Sequence, residues 1–262
     1  MRQITAFFLL WTLALQAIAG DPQFVSPREK FKKITTKQKS LWIVVDLAED
    51  LKETIKDADA ALNNGADAVI FEGRDVAKSD KALGQLRKHY PKAILGMNIL
   101  GPDENLHTYK ETFDLVRKHN LQIAWTDFSG VDLIKEAGAV SLHDIQAAKP
   151  ENAFYISGIH MKYSTLLDSK KPIELSALQA MGWVDGIVIT GPRTGVPTDP
   201  DRARRVRKTI NDYPMGVASG VSAENVKSII ENVDYVIVNT SVSDGKRRIV
   251  GEKVRALRKA MD

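Results

Sequence analysis

The feature that most constrains this chain is a rhythm of short apolar runs, each ending in small polar residues and separated by charged, helix-like segments. It is clearest toward the C-terminus. DGIVITGPRTG occupies 185–195, MGVASGVS 215–222 and DYVIVNTSVS 234–243. An apolar run of four to eight residues with no polar alternation is buried on both faces, as a parallel strand covered by helices is. Glycines and hydroxyls behind each run mark the turn into the next helix.

Upstream the rhythm continues, with strands expected over 41–46, 68–71, 93–98, 121–126 and 153–159. Between them, 48–63 places Leu51, Ile55, Ala58 and Leu62 on one helical face, and Asn64 with Gly65 stops it. Ser79 is a candidate cap for a helix running to His89. Residues 106–119 present Tyr109, Phe113 and Val116; another helix ends near Ala147, and a further one covers 173–181. Val254, Leu257 and Met261 give the last helix its apolar face. Eight strands alternating with eight helical segments over 41–262, uninterrupted by a linker, predict one α/β domain, a single (β/α)8 TIM barrel. An open doubly wound sheet is the rival. It would carry a glycine-rich first turn, and DLAED at 46–50 has no glycine.

The first nineteen residues differ in kind. Residues 4–19 carry no charge and end in Ala17-Ile18-Ala19, a small-x-small pattern. This predicts an N-terminal apolar targeting segment over 1–19, either a signal peptide or a membrane anchor, and hence an exported (periplasmic or secreted) or membrane-associated protein. Residues 20–40 read as a basic linker carrying Arg28, Lys30, Lys32, Lys33, Lys37 and Lys39. A solvated arm is the plain reading, and a peripheral contact with anionic lipid the sharper one. The chain has no cysteine, which excludes disulfides and thiolate metal sites. Its net charge of +4 is mostly interleaved with acids and does not call for nucleic acid. A homo-oligomer stays open.

In a barrel the site forms at the C-terminal ends of the strands. That rule selects Asp46, Glu72, Asn98, Asp127, His160 with Lys162, Thr190 with Arg193 and Thr194, Ser219, and Asn239 with Thr240 and Ser241. Each has a structural alternative, such as capping a helix or closing a turn. Around the last three strands, Gly191, Gly195 and Gly220 allow backbone to approach a ligand closely, and Arg193 offers a fork to a phosphate oxygen. Ser222 is placed to cap a helix whose positive end would face the mouth. These residues, with Asn98, predict a phosphorylated small molecule as ligand. For chemistry, Glu72, His160 and Lys162 are the candidates: Glu72 as general acid/base, Lys162 as base or imine former, and His160 on the same side if the strand runs through it. No cofactor is evident. Mg2+ would require Asp46 and Asp127 to converge on Glu72, which sequence does not establish, so no metal ligand is assigned.

Six segments in order resemble the BtpA family, the photosystem-I-biogenesis-type TIM barrels: 64–72, 95–100, 159–162, 188–195, 218–226 and 238–241. The resemblance runs from about residue 57 to the C-terminus. Glu72, Asn98, His160, Lys162, Thr190, Gly191, Thr194, Gly195, Gly220, Asn225, Thr240 and Ser241 match positions typical of it. Elsewhere the chain departs. Its first strand ends in DLAED rather than the family's HLPPLPG-like loop, Gly158 replaces an Asp, Tyr163 a second His, and Gly101-Pro102-Asp103-Glu104 an Arg-Asn-Asp pattern. The resemblance implies a barrel that binds a sugar- or nucleoside-type phosphate and is an enzyme of unassigned reaction. The alternative is a catalytically degenerate barrel serving as a membrane-associated assembly or binding protein.

Overall fold

The computed structural model describes residues 25–101, 108–132, 142–162 and 168–262. The targeting segment read at 1–19 lies outside them. The elements run α1 (Pro27–Ile34), β1 (Ser40–Asp46), α2 (Leu51–Leu62), β2 (Ala68–Gly73), α3 (Val76–His89), β3 (Ile94–Ile99), α4 (Tyr109–Lys118), β4 (Ile123–Thr126), α5 (Leu142–Ala148), β5 (Phe154–Gly158), α6 (Ile173–Ala180), β6 (Gly186–Thr190), α7 (Pro200–Ile210), β7 (Met215–Ala218), β8 (Tyr235–Val238) and α8 (Gly251–Met261). The strands close in sequence order, all parallel, with β8 returning to β1.

Side chains of a strand alternate between faces, so a closed barrel has two cores. Leu41, Ile43, Val45, Val69 and Phe71 point outward and pack beneath the helices. Trp42, Val44, Ile70, Trp125, Phe154, Ile156, Val188, Tyr235 and Ile237 fill the interior. That inward parity, carried one step past the apolar run, positions the site. It selects Asp46 on β1, Glu72 on β2, Asn98 on β3, Asp127 after β4, Thr190 on β6 and Asn239 after β8. The chemistry-bearing residues thus follow from the same two-residue period that builds the core.

Within the stretch read as a solvated linker, residues 27–34 form the floor of the barrel. Helix α1 begins at a capping box, in which Ser26 Oγ accepts from Glu29 N–H and the Glu29 carboxylate accepts from Ser26 N–H, with Pro27 in the first turn. Phe31 enters the interior core at ring-centroid distances of 5.6 Å from Phe154 and 5.7 Å from Tyr235. Next to it in the interior, Trp42 and Tyr235 stack at 4.2 Å. Gly216 leaves room for that aromatic layer, since a Cβ there would lie 2.0 Å from the Tyr235 ring. Two of the basic residues that suggested a free arm are tethers: Arg28 pairs with Asp234 and Lys30 with Asp185.

Two helix assignments change. Asp75, not Ser79, caps α3, accepting from Lys78 N–H at 2.9 Å; Ser79 is buried inside the helix. After β7 no α-helix forms, only single 3-10 turns over Val226–Ser228 and Ile230–Asn232. Asn225 braces the turn into them: its Oδ1 accepts from Ser222 N–H and its Nδ2 donates to Gly220 O. Ser222 therefore caps no α-helix, and the expected helix dipole at β7 is missing. Among the described residues no helix is long and apolar enough to cross a membrane.

Candidate functional site

At the C-terminal mouth lies a cavity of about 390 Å3, with Trp125, Val44 and Ile237 among its apolar lining. Its two walls differ in chemistry.

The first wall is built by the loops after β6, β7 and β8, with Thr194, Gly195, Ser219, Gly220, Asn239, Thr240 and Ser241 on the cavity. Ser219 and Gly220 are consecutive left-handed residues, at φ 70° and 68°. A non-glycine residue held there is strained, and such strain gathers where a loop is shaped for a ligand. The glycines divide by role. A Cβ on Gly220 would lie 2.2 Å from the Val196 carbonyl carbon, and one on Gly191 2.0 Å from Val196 O. Gly191 lets the β6 loop fold back on itself and Gly220 lets the β7 loop lie against it, so the reason for glycine at 220 is a neighbouring loop rather than ligand volume. Gly195, at φ 77°, has nothing within 4 Å of its missing Cβ and faces open space. Asn239 donates through Nδ2 to Val44 O, tying the β8 loop to β1. Asn239 Oδ1, Ser241 Oγ and the Trp125 indole Nε1 are buried without a hydrogen-bond partner, and all three residues line this one cavity. Unpaired buried polar atoms cost about 1–3 kcal/mol each, so their concentration here is a mark of a binding site.

Lys162 also lines the cavity, and its Nζ donates to Thr194 Oγ1 at 3.0 Å. Its backbone N–H donates to Thr190 Oγ1, a fully buried hydroxyl. Thr190 thus positions Lys162 and stays off the cavity surface. Arg193 is exposed and not on the cavity wall; its carbonyl accepts from Val196 N–H in a turn.

The second wall carries carboxylates. Glu72 and Asp127 line it. Asn98 is buried behind them and donates to Asp127 Oδ1 at 3.2 Å. Arg247, from the loop after β8, forks onto Asp46 with Nε–Oδ2 at 2.6 Å and Nη2–Oδ1 at 2.7 Å, and reaches Glu72 Oε1 at 3.3 Å. Burial, then the negative charges of Asp46 and Asp127, push the Glu72 carboxyl up to about 7, against the opposing pull of Arg247. Among the described residues no group of three or more His, Cys, Asp or Glu is arranged to hold a metal ion.

His160 departs from expectation. Strand β5 ends at Gly158, where a Cβ would lie 2.4 Å from Asp127 O, and His160 turns at φ 45°. Its N–H donates to Asp132 Oδ2 at 2.7 Å, and its ring Nε2 meets Ser176 Oγ at 3.0 Å. Ser176 also bonds to Asp132. Burial pushes the imidazole below its ordinary range. His160 latches its loop to α6 and is not among the cavity-lining residues, so it does not share a side with Lys162. Sequence reasoning missed Arg247, Arg74 and Trp125 on the cavity. The only signal for Arg247 is the Asp244-Gly245 turn before three basic residues, Lys246, Arg247 and Arg248.

Comparison with known proteins agrees with this architecture. An uncharacterized protein of Pyrococcus horikoshii is 26% identical over 219 residues, spanning 78% of this chain and 82% of its own. Phosphoribosyl anthranilate isomerase from Thermus thermophilus superposes with a TM-score of 0.60 at 16% identity, over 85% of this chain and 98% of its own. Thiamine phosphate pyrophosphorylase from Pyrococcus furiosus does so at 0.56 and 16%, over 85% and 95%. These structural likenesses establish the fold alone. The BtpA family model matches residues 93–262, which hold the barrel from β3 onward and with it the Lys162, Thr194, Gly220 and Thr240 wall, and this chain belongs to the BtpA family.

Proposed function

We propose that this barrel is an enzyme acting on a phosphorylated small molecule of sugar or nucleoside type. The phosphoryl group sits against Gly195, Gly220 and Thr240, and Glu72 moves a proton at the other end of the ligand. The observation that carries this reading is that one cavity of about 390 Å3 joins a glycine- and hydroxyl-rich wall to a partly buried carboxyl poised near neutrality. The volume suits a small metabolite. With no α-helix N-terminus after β7, the countercharge for the anion falls to Lys162, whose ammonium already rests on Thr194. A carboxyl near 7 both gives and takes a proton at neutral pH, as general acid–base catalysis requires. The names of the two structural neighbours each include a phosphorylated compound, which supports the choice of ligand class.

Isothermal titration with ribose 5-phosphate and with ribose tests this. The phosphate ester should bind at least about tenfold more tightly, and Lys162→Met should remove about 1.5–3 kcal/mol of its affinity, the scale of a hydrogen bond to a charged group. Equal affinity for the two sugars would overturn the anion site.

A further inference from the structure

Arg247 lines the cavity, and the fold fixes its place from several sides. It sits at φ 63°, a strained conformation for a side-chain-bearing residue. Its loop is clamped on both sides. Asp244 accepts from the N–H groups of Lys246 and Arg248 at 2.7 and 2.9 Å. Ser243 and Ile249 form an antiparallel bridge, and Ile249 N–H donates to the buried Asp57 carboxylate. The next residue, Arg248, pairs with Glu53 at 2.8 Å and Asp57 at 3.2 Å, both on α2. This rigid hairpin carries one guanidinium from the end of β8 to the ends of β1 and β2.

We propose that Arg247 is a positioning residue for the proton of Glu72: by clamping Asp46 and touching Glu72, it holds this carboxyl pair so that Glu72 gives up its proton instead of keeping it. The inference rests on the reading of Glu72 as the acid–base group. The charged groups facing Glu72 are Asp46 from β1, Asp127 after β4 and Arg247 itself; Arg74 and Lys162 line the same cavity. Two carboxylates crowd Glu72 and one cation relieves it. Both Asp46 oxygens accept from the guanidinium, which partly offsets the negative charge that Asp46 turns on Glu72. Removing the cation leaves the pushes of Asp46 and Asp127 on Glu72 unopposed, which favours the protonated form.

The test is the titration of the Glu72 carboxyl by carbon-13 NMR on uniformly labelled full-length protein, assigned with Glu72→Gln. Arg247→Gln should raise the midpoint by about one unit or more, the usual scale for losing an adjacent opposite charge. Arg247→Lys should restore part of it, because the charge stays while the fork is lost. Arg248→Gln, which frees the hairpin but leaves Arg247 in place, should shift the midpoint in the same direction by less. A role confined to stability would lower the melting temperature and leave the midpoint alone. A wild-type midpoint near 7 that moves by less than about 0.3 units in Arg247→Gln overturns this inference and leaves the acid–base reading intact. A wild-type midpoint in the ordinary carboxylate range overturns both.

Discussion

Replacing Phe31 by alanine tests whether α1 is truly part of the barrel. The side chain is 4% exposed and lies within 6.2 Å, centroid to centroid, of three aromatic rings of the floor. Withdrawing a phenyl ring from such a site forfeits about 1.5–3 kcal/mol of burial. Each favourable ring pair adds about 0.5–1.5 kcal/mol. With the cavity left behind, Phe→Ala substitutions in cores cost about 3–5 kcal/mol. Here the loss has a ceiling. Helix α1 has eight residues, and its other main tethers are the partly exposed pairs of Arg28 and Lys30, so once undocked it loses nothing further. We therefore expect about 3 kcal/mol. Urea unfolding followed by far-ultraviolet circular dichroism and tryptophan fluorescence should show a midpoint about 1 M lower, given a slope of about 3 kcal/mol/M for a chain of this size. The native emission should also shift, because Trp42 loses its cover. A loss below about 1 kcal/mol with unchanged emission would mean that 27–34 is a solvated arm after all.

Glu72 makes stability pH-dependent with a definite sign. Its folded pKa of about 7 lies above the ordinary 4.5, so its full contribution is present below pH 4.5 and is lost as pH rises through 7. At about 1.4 kcal/mol per unit, Glu72→Gln should remove at most about 3 kcal/mol of that decline, read by denaturant titrations at pH 4.5 and 8. Gly195→Ala should cost only about 1 kcal/mol of stability but place a methyl group in the cavity and weaken sugar-phosphate binding; Gly220→Ala should cost distinctly more stability, because its Cβ meets the Val196–Pro197 backbone. Arg193→Ala should change neither affinity nor stability by more than about 0.5 kcal/mol, as befits an exposed side chain off the cavity wall.

The barrel was legible because parallel strands buried on both faces leave uninterrupted apolar runs, and the two-residue period then pointed Glu72 and Asn239 at the axis. What failed to show had physical causes. The α1 sequence PREKFKKI offers a single residue to the core, and its basic neighbours look solvated until Asp234 and Asp185 meet Arg28 and Lys30. The segment after β7 has a helix-like pattern, yet it settles into short 3-10 turns over Val226–Ser228 and Ile230–Asn232. His160 keeps inward parity in the sequence, but it turns at φ 45° with its N–H held by Asp132, which takes its side chain out of the strand's alternation. Arg247 reaches Asp46, 201 residues away, and no local pattern encodes a partner so distant.

The central claim is that the mouth of β6, β7 and β8 is an anion site. The most direct measurement is a crystal structure of the full chain grown in ammonium sulfate, with the anions located by anomalous scattering. The account predicts a sulfate between Gly195, Gly220 and Thr240, with Lys162 Nζ turned from Thr194 toward it. A mouth without sulfate while ordered sulfates occupy other surfaces would contradict it, and would leave these loops as turns that merely close a barrel.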